Sequence, residues 1–187
     1  MTTNPRVTIA LEDGRRIVAE LYPEKAPNTV SNFISLANSG YFAGKVFHRA
    51  MSGFMIQGGS PTGDGTSKGF PYSIKGEMKN NGFAQNDISH TQGVLSMARL
   101  NGLYDSASCQ FFIMHGAAGY LDNEYAAFGK VIEGMDVVDA IATSPVTYSS
   151  PGAQQPDRLI TPVVIKSVTA ETFGVVYPEP ATLPAVG

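Results

Sequence analysis

The stretch Phe47-His48-Arg49-Ala50-Met51-Ser52-Gly53-Phe54-Met55-Ile56-Gln57-Gly58-Gly59 is apolar or uncharged apart from His48 and a single arginine. It predicts two short strands, 46–50 and 54–58. Alternate residues of a strand share a face, so Met55 and Gln57 point the same way. Arg49 by itself reads as a solvated surface charge.

Working outward, Val7, Ile9 and Leu11 alternate with small or polar residues, as do Ile17, Ala19 and Leu21. Asp13-Gly14 between them is a type I′ hairpin signal, so 6–11 and 16–21 are an expected antiparallel pair. Pro27 suits a first helical turn and Gly40 a position just past a helix end. Between them Val30, Phe33, Ile34 and Ala37 form one apolar face, predicting a helix of about three turns packed on a sheet. Further strands are expected at 93–98, 110–115 and 126–131. In 110–115, Phe111 and Ile113 make one face, the core side, and Gln110, Phe112 and Met114 the other. A second helix fits 134–142 and a closing strand 163–168. The segment 59–92 shows little periodicity, with Ile74 and Phe83 as candidate anchors. After Phe173, Pro178, Pro180 and Pro184 disfavour regular structure, so 1–172 is read as the domain and 173–187 as a tail.

The chain has 187 residues, 43% apolar and 16% charged, with a net charge of −3. That is one folded domain, not a nucleic-acid binder relying on overall positive charge. A lone cysteine rules out an intrachain disulfide and fits a reducing compartment. Met1–Arg6 carries no apolar run behind a basic patch, and no stretch approaches membrane-spanning length. The default location is therefore the cytoplasm, with no membrane partner. Twenty glycines and twelve prolines imply many turns, favouring a mainly β protein. A closed antiparallel barrel with two helices removes sheet edges.

Several standard chemistries have no motif here. There is no G-x-S-x-G nucleophile elbow, no phosphate-binding loop and no dinucleotide fingerprint. His48, His90 and His115 lack paired metal-ligand spacing, so neither metal nor cofactor is expected. Cys109 has no neighbouring base and reads as an inert thiol. Because Gln110 follows it, oxidation of an accessible Cys109 would disturb that glutamine.

The Phe47–Gly59 stretch is accompanied by Gly93-Val94-Leu95-Ser96-Met97-Ala98, by Ser108-Cys109-Gln110-Phe111-Phe112-Ile113, and by Leu121-Asp122-Asn123-Glu124-Tyr125-Ala126-Ala127-Phe128-Gly129-Lys130-Val131. In this order and spacing they resemble the cyclophilin family of peptidyl-prolyl cis-trans isomerases, in a bacterial single-domain form, from about residue 6 to 171. The resemblance implies a closed eight-stranded antiparallel β-barrel capped by two α-helices, with the site in a groove on its outer surface. It implies Arg49 as the catalytic residue and Phe54, Met55, Gln57, Ala98, Gln110, Phe112 and Leu121 as substrate-pocket residues. Phe54 enters the pocket through the resemblance alone.

Departures from the family pattern cluster at the rim. Ala50-Met51-Ser52 stands where Val-Ile-Pro is common, which frees the backbone before Gly53. Arg99 replaces an asparagine, leaving its main chain to contact substrate. Tyr120 replaces a pocket tryptophan and Tyr125 a pocket histidine. The implied partners are proline-containing peptides and folding proteins. The immunosuppressant peptide cyclosporin is expected to bind weakly, because Tyr120 lacks the indole N–H. A binding module of the same fold with little turnover, and a lipocalin-like barrel carrying a small molecule in a hollow interior, are the rival readings.

Overall fold

A computed structural model describes residues 3–186; Met1, Thr2 and Gly187, the last residue of the expected tail, lie outside the described residues. The strands are β1 (Arg6–Leu11), β2 (Arg16–Leu21), β3 (Val46–Met51), β4 (Met55–Gly58), β5 (Tyr72–Ser73), β6 (Val94–Met97), β7 (Phe111–Met114), β8 (Ala127–Glu133), β9 (Val146–Thr147), β10 (Arg158–Glu171) and β11 (Leu183–Pro184). The helices are α1 (Pro27–Asn38) and α2 (Met135–Ala142). Hydrogen-bonded neighbours run β1-β2-β8-β6-β7-β4-β3-β10, and β10 pairs back onto β1. The circuit closes as an eight-stranded, all-antiparallel barrel, with β9 appended to β10.

The interior is filled. Phe33 of α1 enters among Phe42, Phe111 and Phe128, with ring centroids 5.0 to 5.3 Å away. Phe111 and Ile113 face this core, while Phe112 and Met114 join a second buried cluster outside the barrel wall with Met55, Val94 and Leu121. A packed interior of this kind leaves a lipocalin-like carrier without its hollow. Gly58 and Gly59, which close the decisive stretch, are required by close approach. A Cβ on Gly58 would lie 2.8 Å from the Val46 carbonyl oxygen, and one on Gly59 2.6 Å from that of Cys109, at a φ of +88°.

Four expectations need correction. The β1–β2 turn is not type I′: the positive φ falls on Gly14 alone. Gly14 N donates to Leu11 O and Leu11 N to Arg15 O, the pattern of a longer loop closed by a glycine bulge. β10 starts five residues before the expected 163, because three partners supply its ladder despite the interrupting Pro162. Of the two expected anchors Ile74 is buried but Phe83 is only half-buried, and Phe70 and Met78 anchor the long segment with Ile74. The tail is ordered against the domain: Leu183 and Pro184 pair with Ser73 and Tyr72.

That tail is tied to α1 by side-chain hydrogen bonds. Asn28 Nδ2 donates to Ala181 O and Ala181 N donates back to Asn28 Oδ1, at 3.0 and 2.8 Å. Ser35 Oγ donates to the Glu179 carboxylate. On the barrel side, buried Asn32 donates to Ser108 O and accepts from the Tyr72 hydroxyl, each at 2.8 Å. The helix ends in a Schellman arrangement, Tyr41 N to Leu36 O and Gly40 N to Ala37 O.

Candidate active site

A groove of about 510 Å³ runs along the outer barrel wall, lined by Arg49, Phe54, Met55, Gln57, Ala98, Arg99, Phe112, Tyr120, Leu121 and Tyr125, with Leu100 and Asn101. β4 and β7 lie side by side, pairing Met55 with Met114 and Gln57 with Phe112. This register brings Arg49, Gln57 and Phe112 onto adjoining strands, since Arg49 of β3 pairs with Gln57. Phe112 forms the floor, 5% exposed. Tyr125 meets its edge at 5.8 Å, and His90 stacks against it from below at 6.1 Å. Buried His90 is fixed at both ring nitrogens, by Asp122 at 3.0 Å and Ser96 at 2.9 Å.

Phe54 escapes strand alternation because it precedes β4, in a turn where Phe54 N donates to Met51 O. The prolyl constraint absent at Ser52 is replaced from β7's end: Gly53 N donates to His115 Nδ1 at 2.8 Å and His115 N to Phe54 O at 2.8 Å. Tyr120 sits on the rim, 72% exposed, 6.1 Å from the Phe54 ring. Arg99 contributes more than its main chain. Its guanidinium packs against the Tyr125 and Tyr104 rings at 4.4 and 4.9 Å and donates from Nε to Glu124 O at 3.0 Å.

The polar wall is a hydrogen-bond chain. Arg49 Nε donates to Asp157 Oδ2 at 2.8 Å and Nη1 to Gln57 Oε1 at 3.1 Å. Gln57 Nε2 donates to Gln110 Oε1 at 3.1 Å, and Gln110 Nε2 donates to Gly65 O and Ser67 Oγ, each at 3.0 Å. Gln110 therefore lies one step behind the groove. It lines an adjoining hollow with Gln57, Ala98, Arg99, Leu100 and Val186 of the tail. Cys109 faces the core, 1% exposed, so an oxidant has no route to it in the folded chain and no modulating role through Gln110 follows. Asp157, His90 and Asp122 were not legible in the sequence as site residues.

His48, beside Arg49 on β3, is buried, and its Nδ1 has no partner among the described residues. Burial, reinforced by the Arg158 and Arg49 guanidiniums, pushes its imidazole down from 6.5 to about 4, against the opposing pull of Asp64 and Asp157. Between those values the unfolded chain takes up a proton there that the native chain refuses. Stability therefore falls as pH falls through that window, by at most about 1.4 kcal/mol per pH unit and about 3 kcal/mol in all. Burial lowers His90 as well, partly opposed by Asp122, in the same direction. Urea unfolding should show a lower midpoint at pH 4.5 than at pH 7, and His48→Gln should shrink that difference. An equal pH difference in the variant would contradict the assignment.

A closed, filled barrel whose outer wall carries a ring-sized apolar floor, with a clamped guanidinium at its edge, presents an external groove rather than a carrier's hollow. Residues 6–170 match the family described as cyclophilin type peptidyl-prolyl cis-trans isomerase/CLD. Peptidyl-prolyl cis-trans isomerase B of Bacillus subtilis (strain 168) is 45% identical over 126 residues, 67% of this chain and 82% of that protein. Peptidyl-prolyl cis-trans isomerase A of Dickeya dadantii (strain 3937) is 36% identical over 171 residues, covering 89% of this chain and 84% of the relative. A cyclophilin-type isomerase from Cryptosporidium parvum, crystallised in the presence of the dipeptide Ala-Pro, superposes with a TM-score of 0.74 at 29% identity, over 89% of this chain and 98% of that one. The chain belongs to the cyclophilin-type peptidyl-prolyl cis-trans isomerases and is an isomerase enzyme.

Proposed function

We propose that Arg49 catalyses rotation about Xaa-Pro bonds in peptides and folding proteins, with the proline ring seated on Phe112 among Phe54, Met55 and Leu121. The observation that carries this is the clamped guanidinium at the edge of the apolar floor. The Xaa-Pro amide resists rotation with a barrier of about 18–20 kcal/mol. Uncatalysed exchange takes tens to hundreds of seconds, so a turnover of about 1–10³ per second needs roughly 3–7 kcal/mol of barrier lowering. Twisting breaks the amide's conjugation and localises the lone pair on the prolyl nitrogen. A donor already aimed at that nitrogen, or at the prolyl carbonyl, stabilises the twisted state without reorganising. No bond breaks, so positioned donors and a ring grip suffice. The seat holds the proline while the preceding carbonyl turns. Arg99 and Leu100 line the groove beside it, and the main chain of Arg99 is offered to the peptide.

The same reading places the protein as a folding assistant and chaperone in the cytoplasm, consistent with one unpaired cysteine and with a net charge of −3 that does not favour nucleic acid. Exchange NMR on an Ala-Pro tetrapeptide tests it. Cis and trans resonances should broaden at substoichiometric protein, whereas a groove that only holds proline segments would shift them without accelerating exchange.

Cyclosporin is expected to inhibit weakly. Tyr120 projects into solvent, and its hydroxyl does not reproduce the reach of the family's indole N–H. A ligand carbonyl left unpaired costs about 1–3 kcal/mol, or roughly 5- to 150-fold in affinity. Tyr120→Trp should tighten inhibition by that factor with peptide turnover little changed. Equal, tight inhibition of both proteins would rule the explanation out.

A further inference from the structure

We infer that Asp157 is a positioning residue of the isomerase, setting the direction of the Arg49 donors from outside the groove. The inference rests on the reading of Arg49 as catalytic. Asp157 is absent from the groove lining. It reaches Arg49 from behind, across 108 residues of sequence, through a 2.8 Å bond from Nε to Oδ2. A guanidinium has five donors in one rigid plane. Nε–H is taken by Asp157, one Nη1 hydrogen by Gln57, and one Nη2 hydrogen faces Met51 Sδ at 3.6 Å. One hydrogen on each terminal nitrogen is left for a ligand. Two anchors on different edges of a plane fix both its position and its rotation; Gln57 alone would leave the plane free to pivot about one bond. Arginine is among the side chains with the most rotamer freedom, and a freely pivoting donor must be ordered anew for each twisted amide.

The anchor is itself immobilised. Asp157 N donates to Thr147 O at 3.1 Å and Asp157 O accepts from Ala50 N at 2.8 Å, so β9 and β3 hold its backbone from both sides. The next residue, Arg158, pairs with both Arg49 and Thr147 and donates from Nη2 to Asp64 O at 2.7 Å. The carboxylate sits in a side hollow lined by His48, Arg49, Gln57, Asp64 and Arg158. Its second oxygen is buried without a partner among the described residues. A purely structural ion pair gains nothing from such an orphan, which burdens stability. A carboxylate retained to aim one donor plane explains the cost.

Two effects of the pair oppose each other. Asp157 offsets the positive charge that substrate meets, and it fixes the donors. Aim dominates here, because the reaction asks for hydrogen bonds at one nitrogen or carbonyl rather than for net charge.

The test is steady-state and exchange kinetics on Asp157→Ala, Asp157→Asn, Arg49→Ala and the Arg49→Ala/Asp157→Ala double variant. Asp157→Ala should lose roughly tenfold in kcat with KM within about twofold. Asp157→Asn, whose amide oxygen still accepts from Nε, should recover part of the loss. Because the pair is partly exposed, melting temperatures should move by no more than about 4 °C. In the Arg49→Ala background the second substitution should cause no further fall, since a residue acting through Arg49 has nothing left to aim. Unchanged or raised kcat in a folded Asp157→Ala, or a full additional loss in the double variant, overturns the inference. Near-wild-type activity of Arg49→Ala alone would instead overturn the reading beneath it.

Discussion

Arg49→Ala is expected to lower kcat/KM by roughly 10²–10³-fold, the loss that follows removal of about 3–4 kcal/mol of preorganised donor stabilisation. The ring-gripping residues remain, so most of the loss should appear in kcat. The fold should survive, because Arg49 is 36% exposed on the groove wall and is not part of the barrel core. Arg49→Lys should recover only part of the rate, since an ammonium restores charge but not the planar fork held by Asp157 and Gln57. Circular dichroism alongside exchange kinetics separates the two effects. A folded Arg49→Ala that turns over like wild type would sink the mechanism.

Glu77→Ala should be strongly destabilising for a polar substitution away from the groove. The first turn of α1 has no capping side chain of its own. Glu77, 49 residues on from Asn28, supplies one: its buried carboxylate accepts from Asn28 N at 3.0 Å, Thr29 N at 2.7 Å and Thr29 Oγ1 at 2.6 Å. A negative charge there also complements the helix dipole. Removing it orphans buried donors at about 1–3 kcal/mol each and loses charge-assisted bonds. The sum, about 3 kcal/mol, corresponds to a fall in melting temperature of roughly 6–12 °C for a chain of this length. Glu77→Gln should lose less, because its amide oxygen can keep one backbone bond. Thermal melts decide it, and a shift below about 2 °C for Glu77→Ala would show that water or a neighbour replaces the cap.

Local patterning made much of the barrel legible. The alternations of β1, β2 and β7 and the apolar face of α1 follow from side-chain periodicity, which each segment carries within itself. Elements whose stabilising partners are distant were not legible. β10 extends back to Arg158 because β3 and β9 complete its ladder. β11 exists only because Ser73 and Tyr72 lie beside the tail. Phe83 was a poor anchor choice because a large ring in an aperiodic segment does not reveal whether other segments cover it.

The candidate site divides along the same line. Arg49, Phe54, Met55, Gln57, Ala98, Arg99, Phe112, Tyr120, Leu121 and Tyr125 were readable because their order and spacing resemble a family, and all of them line one groove. Gln110 shares a strand face with Phe112, which placed it on the outer wall; tertiary structure alone set it behind Gln57. Asp157 belongs wholly to tertiary structure. A carboxylate after Gln155-Pro156 carries no local signal, and only the pairing of β10 with β3 brings it to Arg49. Sequence by itself determined what β1, β2 and β7 bury and which arginine stands among apolar neighbours, since both are properties of adjacent residues. Which carboxylates hold that arginine and cap α1 was decided by tertiary structure, because hydrogen bonds across 108 and 49 residues exist only once the barrel has closed.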